Sequence, residues 1–546
     1  MSMCSLESVT AASKARASIA AHPWGSVVLG VVVVLGIYLR FANLADSPGW
    51  DGDEGYNWSI ASNLAAGHVQ MYAFRYAFVQ HPPLFYLLGA ALLRLWTPDL
   101  LALRALSACC GVLTIIGLFG LGNRLSGYRL GFAAATLYAI WPQAVVQVRW
   151  AYTYNLLALL IVLALWAAAP AATGTSAVMA RGLPLRRERE TAPRTHGAAV
   201  LAGLLTGLAL TSDQQAVALV PAIGLLLWQS GRRALFAGLL AAAIPPLTYI
   251  GWMLAIRRGD FLFDIFHTAS RLTAGPVTLL ARFIHLLTFD PLIAIGLLGL
   301  LLVQRGPVRT ALWTLTALLL VIVLEVRDPV PVFHAAEPIL PIAALGAGVV
   351  VCKVLELLRA ILEPAASRGP ESPRADVKAR QARGVRILAS ALLIVPFAIS
   401  MLARDVAEVR GHFTTIINGF LPRSPIEARR MAAWVNRRVT AGDIVIVMPE
   451  TSWLFHCRTT ELLQAVAISG HGTAFYPSGL DRARFLYDTE LSAARFLVLD
   501  DFTRLWIKEN AAERALVSTA KAHWQLVYKH GEYLVYANPA RSAISR

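Results

Sequence analysis

The sequence predicts a polytopic α-helical membrane protein that carries an α/β domain near its C-terminal end. Three observations predict it. Of 546 residues, 57% are hydrophobic and 15% charged, with a mean hydropathy of +0.57, a balance foreign to soluble globular domains. The apolar residues gather into runs of the ~20 residues that a spanning helix needs. From Pro425 the pattern changes to short β-branched runs alternating with amphipathic stretches.

The net charge of +16 does not mark a nucleic-acid binder, because the basic residues sit in short clusters between apolar runs. That is the look of loops retained on the cytoplasmic side. Of the five cysteines, Cys109, Cys110 and Cys352 lie in apolar runs and Cys4 in the N-terminal tail. Only Cys457 falls in the hydrophilic part, so neither a disulfide framework nor a zinc cluster is expected. The first apolar run follows Lys14 and Arg16 and shows no small-x-small cleavage site, so it reads as an uncleaved anchor.

Candidate spans run roughly 24–44, 105–123, 130–148, 155–173, 197–212, 214–230, 234–256, 287–304, 309–326, 338–359 and 385–402. The stretch 82–96 is short, begins with Pro82-Pro83 and ends at Arg94, Trp96, Pro98 and Asp99. Charge decides its place. If it does not span and the N-terminus is cytoplasmic, every strong basic cluster falls inside: Arg124/Arg129, Arg181–Arg194, Arg232/Arg233, Arg305/Arg309 and Arg368–Arg386. If it spans, all of them fall outside. The stretch therefore reads as an interfacial helix, the spans number eleven, and the part after about 403 is extracytoplasmic. The outer loops are then 45–104, 149–154, 212–213, 257–286 and 327–337, with helical pieces at 53–66 and 82–96 in the first.

Two parts follow, 1–410 within the membrane and 411–546 beyond it. In the second, Pro425–Val439 is amphipathic with Arg429, Arg430, Arg437 and Arg438 on its basic face. Asp443–Met448 and Ala494–Leu499 read as buried strands, a helical stretch follows near 501–518, and Trp524–Tyr528 with Glu532–Tyr536 suggest a closing hairpin. No glycine-rich phosphate loop and no repeat of 20–50 residues is visible.

The chemistry concentrates in the first outer loop. Trp50-Asp51-Gly52-Asp53-Glu54-Gly55-Tyr56 places three carboxylates at the membrane edge, where they cost energy and mark function. Gln80-His81-Pro82-Pro83-Leu84 is a second polar knot. An acid cluster, a helical spacer and His-Pro-Pro-Leu together resemble the first outer loop of the GT-C membrane glycosyltransferases. The pattern is most like glycosyltransferase family 39, the protein O-mannosyltransferases and the aminoarabinose transferases. The resemblance has motif support over about 35–160 and architectural support over 161–410. It implies a lipid-phosphate-linked sugar donor, an Asp-Glu pair in the site, a GT-C fold and a bacterial plasma membrane. It also implies that the site is built from the first two outer loops.

Sugar transfer from a lipid phosphate releases a weakly basic phosphate, so a general acid is dispensable while the acceptor hydroxyl needs a base. Asp53 matches the Asp of the family's pair and is the expected base; Glu54 orients it or binds acceptor, and Asp51 is a second candidate. These acids also suit a helix N-terminus, where carboxylates favour the dipole. Tyr56 and Tyr152 are candidate substrate contacts. Arg149 is the natural phosphate partner, since its fork holds two oxygens at once, or else a charge snorkelling at a helix end. His81, where relatives often carry Lys or His, donates to phosphate or caps its helix. The second outer loop offers Tyr152, Tyr154 and Asn155 where several GT-C branches have an acid, which favours metal-independent transfer with no cofactor. His334 and Glu337, before Pro338-Ile-Leu-Pro341, line the site from the opposite side or lie in a solvated loop. A transporter of a lipid-linked substrate is the main alternative, and a non-catalytic scaffold the second. Against transport, the acids lie in an outer loop, not at the midplane on broken helices.

Overall fold

The computed structural model describes residues 23–75, 82–169, 196–270, 276–325, 333–362, 373–411, 425–473, 475–507 and 510–542. His81 and the whole basic 181–194 segment lie outside them.

Among the described residues, four helices are long and apolar enough to cross a membrane: Leu100–Ser126, Arg232–His267, Pro307–Glu325 and Ala335–Leu358. Shorter apolar helices stand at Gly25–Phe41, Leu84–Leu95, Thr153–Ala168, His196–Leu210 and Gln214–Trp228. Two expected runs are broken, each at a proline. The 130–148 run gives Tyr128–Ala139 and then a six-residue helix that starts afresh at Pro142. The 287–304 run joins Val277–Phe289 to Pro291–Leu301 through a 103° bend, with Asp290 capping the second piece by accepting the Leu292 N–H. Proline at the first helical position favours such restarts, because its missing N–H has no partner to lose there. Conversely, much of the expected 257–286 loop is helical, since the helix Arg232–Ser270 runs on past a kink at Arg257.

The helices pack through small residues, as membrane helices do. A Cβ added at Gly299 would lie 2.0 Å from the Gly346 carbonyl oxygen, so Pro291–Leu301 and Leu340–Leu362 meet backbone to backbone. The last helix of this part, Pro373–Val409, leads to the C-terminal α/β part.

That part holds a five-stranded sheet: β1 (Ile444–Ile446), β2 (Arg458–Thr460), β3 (Phe496–Leu499), β4 (Gln525–His530) and β5 (Tyr533–Ala537), ordered β2-β1-β3-β5-β4. β1 runs parallel to β2 and β3, while β5 runs antiparallel to β3 and β4. β1 and β3 are buried along their length, which explains their unalternating apolar sequence. The β4–β5 turn uses Gly531 at φ +54, and a Cβ there would overlap the Glu427 carboxylate. Helix Pro425–Asn436 lies on this hairpin through Trp434, whose ring packs on Tyr528. The expectation of 501–518 as one helical stretch resolves into Asp501–Trp506 and Ala511–His523, the second capped by Asn510.

Candidate functional site

The acid motif folds into the start of helix Gly52–Ala65. Asp51 is its N-cap, accepting the Asp53 N–H at 2.9 Å, and Glu54 reaches back to accept the Asp51 N–H at 3.1 Å. The two close a capping box, satisfying backbone donors that the first turn leaves open. Asp53, half-buried in that turn, sits where the helix dipole favours a negative charge. Three acids in one heptapeptide thus have different local tasks.

Glu54 is the hub. Its side chain is fully buried, and Arg104, equally buried, meets it with two donors: Nε to Oε1 at 2.7 Å and Nη2 to Oε2 at 2.5 Å. Oε1 also accepts the Ala151 N–H at 2.8 Å, so one carboxylate joins the segments 45–104 and 149–154. Arg104 in turn donates to the carbonyls of Leu44, Ser47 and Gly49. Asn57 extends the junction by donating to the Ala151 carbonyl at 2.7 Å and accepting from the Tyr86 hydroxyl at 2.8 Å. The Leu84 N–H bonds to the Thr211 carbonyl, so the helix after Pro82-Pro83 is anchored to the end of helix His196–Leu210.

The fork of Arg149 is engaged by backbone carbonyls. Its side chain is wholly buried, with Nη1 on the Leu39 carbonyl at 2.7 Å and Nη2 on those of Ala42, Asn43 and Ser47. These are carbonyls at and just beyond the C-terminal end of helix Pro23–Phe41, where a cation is favoured. The geometry is that of a helix-end clamp, and the expected grip on phosphate has a physical obstacle. Tyr152 is buried beside Asp51, and burial first, then Asp51, Asp53 and Glu54, hold its hydroxyl well above the usual tyrosine range. Glu337 accepts from the Tyr138 hydroxyl at 2.7 Å within the helical bundle, as a buried group and not in a solvated loop. The side chain of His334 and all of His81 fall outside the described residues.

The α/β part sits directly on this site. The Tyr56 hydroxyl donates to Glu461 Oε2, and that of Tyr476 to Oε1 at 2.7 Å. Tyr72 and Ser452 share a hydroxyl–hydroxyl bond at 2.9 Å, Arg429 pairs with Asp46 at 2.6 Å, and Trp453 meets Trp50 edge-on at 4.9 Å.

Arg104, Asp213 and Glu461 are functional candidates that sequence reading passes over. Arg104 had a signal: a charge near the head of a 27-residue apolar helix whose other charge, Arg124, lies in the last turn. Asp213 had a weaker one, the Thr211-Ser212-Asp213 break between apolar runs. It caps Gln214–Ala218 and accepts from the Thr153 hydroxyl at 2.8 Å, next to Tyr152, and burial pushes its carboxyl up to about 6. Glu461 had none, because its partner across the junction, Tyr56, is 405 residues away in sequence. Among the described residues no group of three or more His, Cys, Asp or Glu is placed to hold a metal ion.

No family model matches the sequence, and neither does any curated protein. Solved structures do match. The structure of ArnT from Cupriavidus metallidurans bound to undecaprenyl phosphate superposes with a TM-score of 0.62, covering 96% of this chain and 100% of that one at 15% identity. The chain thus shares the fold of that protein. The apo oligosaccharyltransferase of Archaeoglobus fulgidus gives 0.53 over 95% of this chain and 75% of its own, at 14% identity. The same organism's AglB with an inhibitory peptide and a dolichol-phosphate gives 0.52, with 96% of this chain covered at 15% identity. Identities this low speak to the fold alone.

Proposed function

We propose that this chain is an integral membrane glycosyltransferase. It moves a sugar from a polyprenyl-phosphate donor to an acceptor on the extracytoplasmic face, with Asp53 as general base. The division of labour among the three acids carries the reading: Asp51 and Glu54 close and anchor the helix start, while Asp53 is the half-buried acid between them. The acceptor oxygen attacks the anomeric carbon, its proton passes to the Asp53 carboxylate, and the bond from that carbon to the phosphate oxygen breaks. Polyprenyl phosphate leaves with the electron pair, and the anomeric centre inverts. No metal is required in this scheme, because the leaving group is already a weak base. Tyr56 and Tyr152 flank the acid and border the acceptor. Eleven spans with a cytoplasmic N-terminus put the α/β part outside, over the site. The undecaprenyl phosphate bound to ArnT and the dolichol-phosphate bound to AglB support the donor class.

Purified protein offered radiolabelled polyprenyl-phosphate sugars tests the reading. Removing a general base costs about 10²–10⁴ in rate, so Asp53→Asn should bind donor and transfer little. Asp51 remains as the cap, so the variant should fold. A folded Asp53→Asn protein with near-parental transfer would eliminate the assignment.

A further inference from the structure

The α/β part and helix Gly52–Ala65 touch more closely than two independent units need to. A Cβ added at Gly55 would lie 1.8 Å from the Pro449 carbonyl oxygen, so only glycine lets the two backbones meet there. Beyond the helix, the Leu486 N–H donates to the Ala73 carbonyl at 2.6 Å and the Arg75 N–H to the Arg484 carbonyl at 2.8 Å, a strand-like bridge across the junction. Phe74 packs edge-on against both Tyr476 and Phe485. Tyr72 holds a left-handed backbone at φ +43, unfavourable for so bulky a residue, while its hydroxyl bonds to Ser452. At the centre is Glu461, wholly buried, its two oxygens each taking a tyrosine hydroxyl from opposite sides of the junction.

Tyr56 stands three residues beyond Asp53 on the same helix, and residues so spaced are neighbours on one face. We propose that Glu461 is a positioning residue: through Tyr56 it fixes the rotation and depth of the helix that carries Asp53. The α/β part thereby completes the catalytic geometry. The inference rests on the glycosyltransferase reading for its catalytic consequence and on the contacts alone for its structural one.

Two measurements on the full-length chain in detergent separate these. Hydrogen exchange at the amides of 52–65 reads the hold on the helix, and Glu461→Ala should speed it about tenfold, the worth of a charge-assisted hydrogen bond. Should Glu461→Ala fail to fold, Tyr56→Phe removes one of the two donors and tests the same hold. Steady-state transfer reads the consequence: a misplaced base costs up to about 10²-fold, so kcat should fall while KM for the donor stays. Glu461→Gln, which still accepts from Tyr56, should recover most of the rate. Unchanged exchange in both variants overturns the proposal whatever the transfer assay gives. Faster exchange with parental kcat overturns the positioning role. If the parental chain transfers nothing, the glycosyltransferase reading fails, and exchange still decides whether Glu461 holds the helix.

Discussion

Helix Gly52–Ala65 is held on two sides by different physics. On the membrane side, Glu54 meets a guanidinium in a fully buried ion pair with two direct bonds. On the other side, Glu461 meets neutral hydroxyls, and burial pushes its carboxyl up to about 7. A carboxylate facing arginine has its charge stabilised where it stands; one facing tyrosines retains most of its desolvation cost. The first hold is built to be permanent, whereas the second responds to pH.

Breaking the permanent hold should have the largest effect. Arg104→Met leaves Glu54 buried without its counter-charge, which typically costs about 3–5 kcal/mol. Thermal unfolding in detergent should show the loss, and a midpoint within a degree or two of the parent would mean that Glu54 finds another partner.

The responsive hold predicts a pH dependence on the order of 3 kcal/mol at most, given a carboxyl raised from 4.5 to about 7. The folded state keeps the Glu461 proton longer than the unfolded chain. Stability should therefore be greatest below about pH 4.5 for this group and decline as pH rises toward 7. The charged and titratable groups that face Glu461 are Tyr56 and Tyr72 on the segment 45–104, with Tyr476 and Glu513 on the α/β part. Asp213 and Glu513 are raised too and share the sign, so Glu461→Gln should shallow the decline without abolishing it. Identical pH profiles of the thermal midpoint in parent and variant would remove Glu461 from the account.

Arg149 sharpens the contrast from a third position. It bonds backbone carbonyls and shares the field of the buried Glu408 and Asp405, so Arg149→Met orphans acceptors and thins a spread counter-charge instead of breaking a two-bond ion pair. The cost should be about 1–3 kcal/mol, below that of Arg104→Met. A loss of donor binding with unchanged stability would reverse this and return Arg149 to the phosphate.

The sequence made some of this legible. The acid heptapeptide announced both a helix start and a site, because capping and catalysis recruit the same residue types. The β-branched runs at 444–446 and 496–499 announced buried strands. β2 did not show, being three residues with an exposed arginine at its head. Arg149 was legible as a charge at a helix end, but its direction was not, since either reading needs the same residue at the same place. Arg104 and Glu461 were illegible as partners, because the pairing exists only after residues about 50 and 405 apart are brought together. Hydropathy marked apolar runs, yet it is blind to the prolines that turned two of them into bent or broken segments.

The backbone contact at Gly55 bears on how divisible this molecule is. A chain cut after Val409 would keep its apolar helices but uncover Trp50, Tyr72 and Phe74, all now buried, and strip Tyr56 of its acceptor. The topological border between the two parts is therefore not a thermodynamic one. Modular exchange, grafting one α/β part onto another membrane part, would need a glycine facing Pro449 and a complementary aromatic underside. The heptapeptide and the loop opposite it would have to be transplanted as one unit.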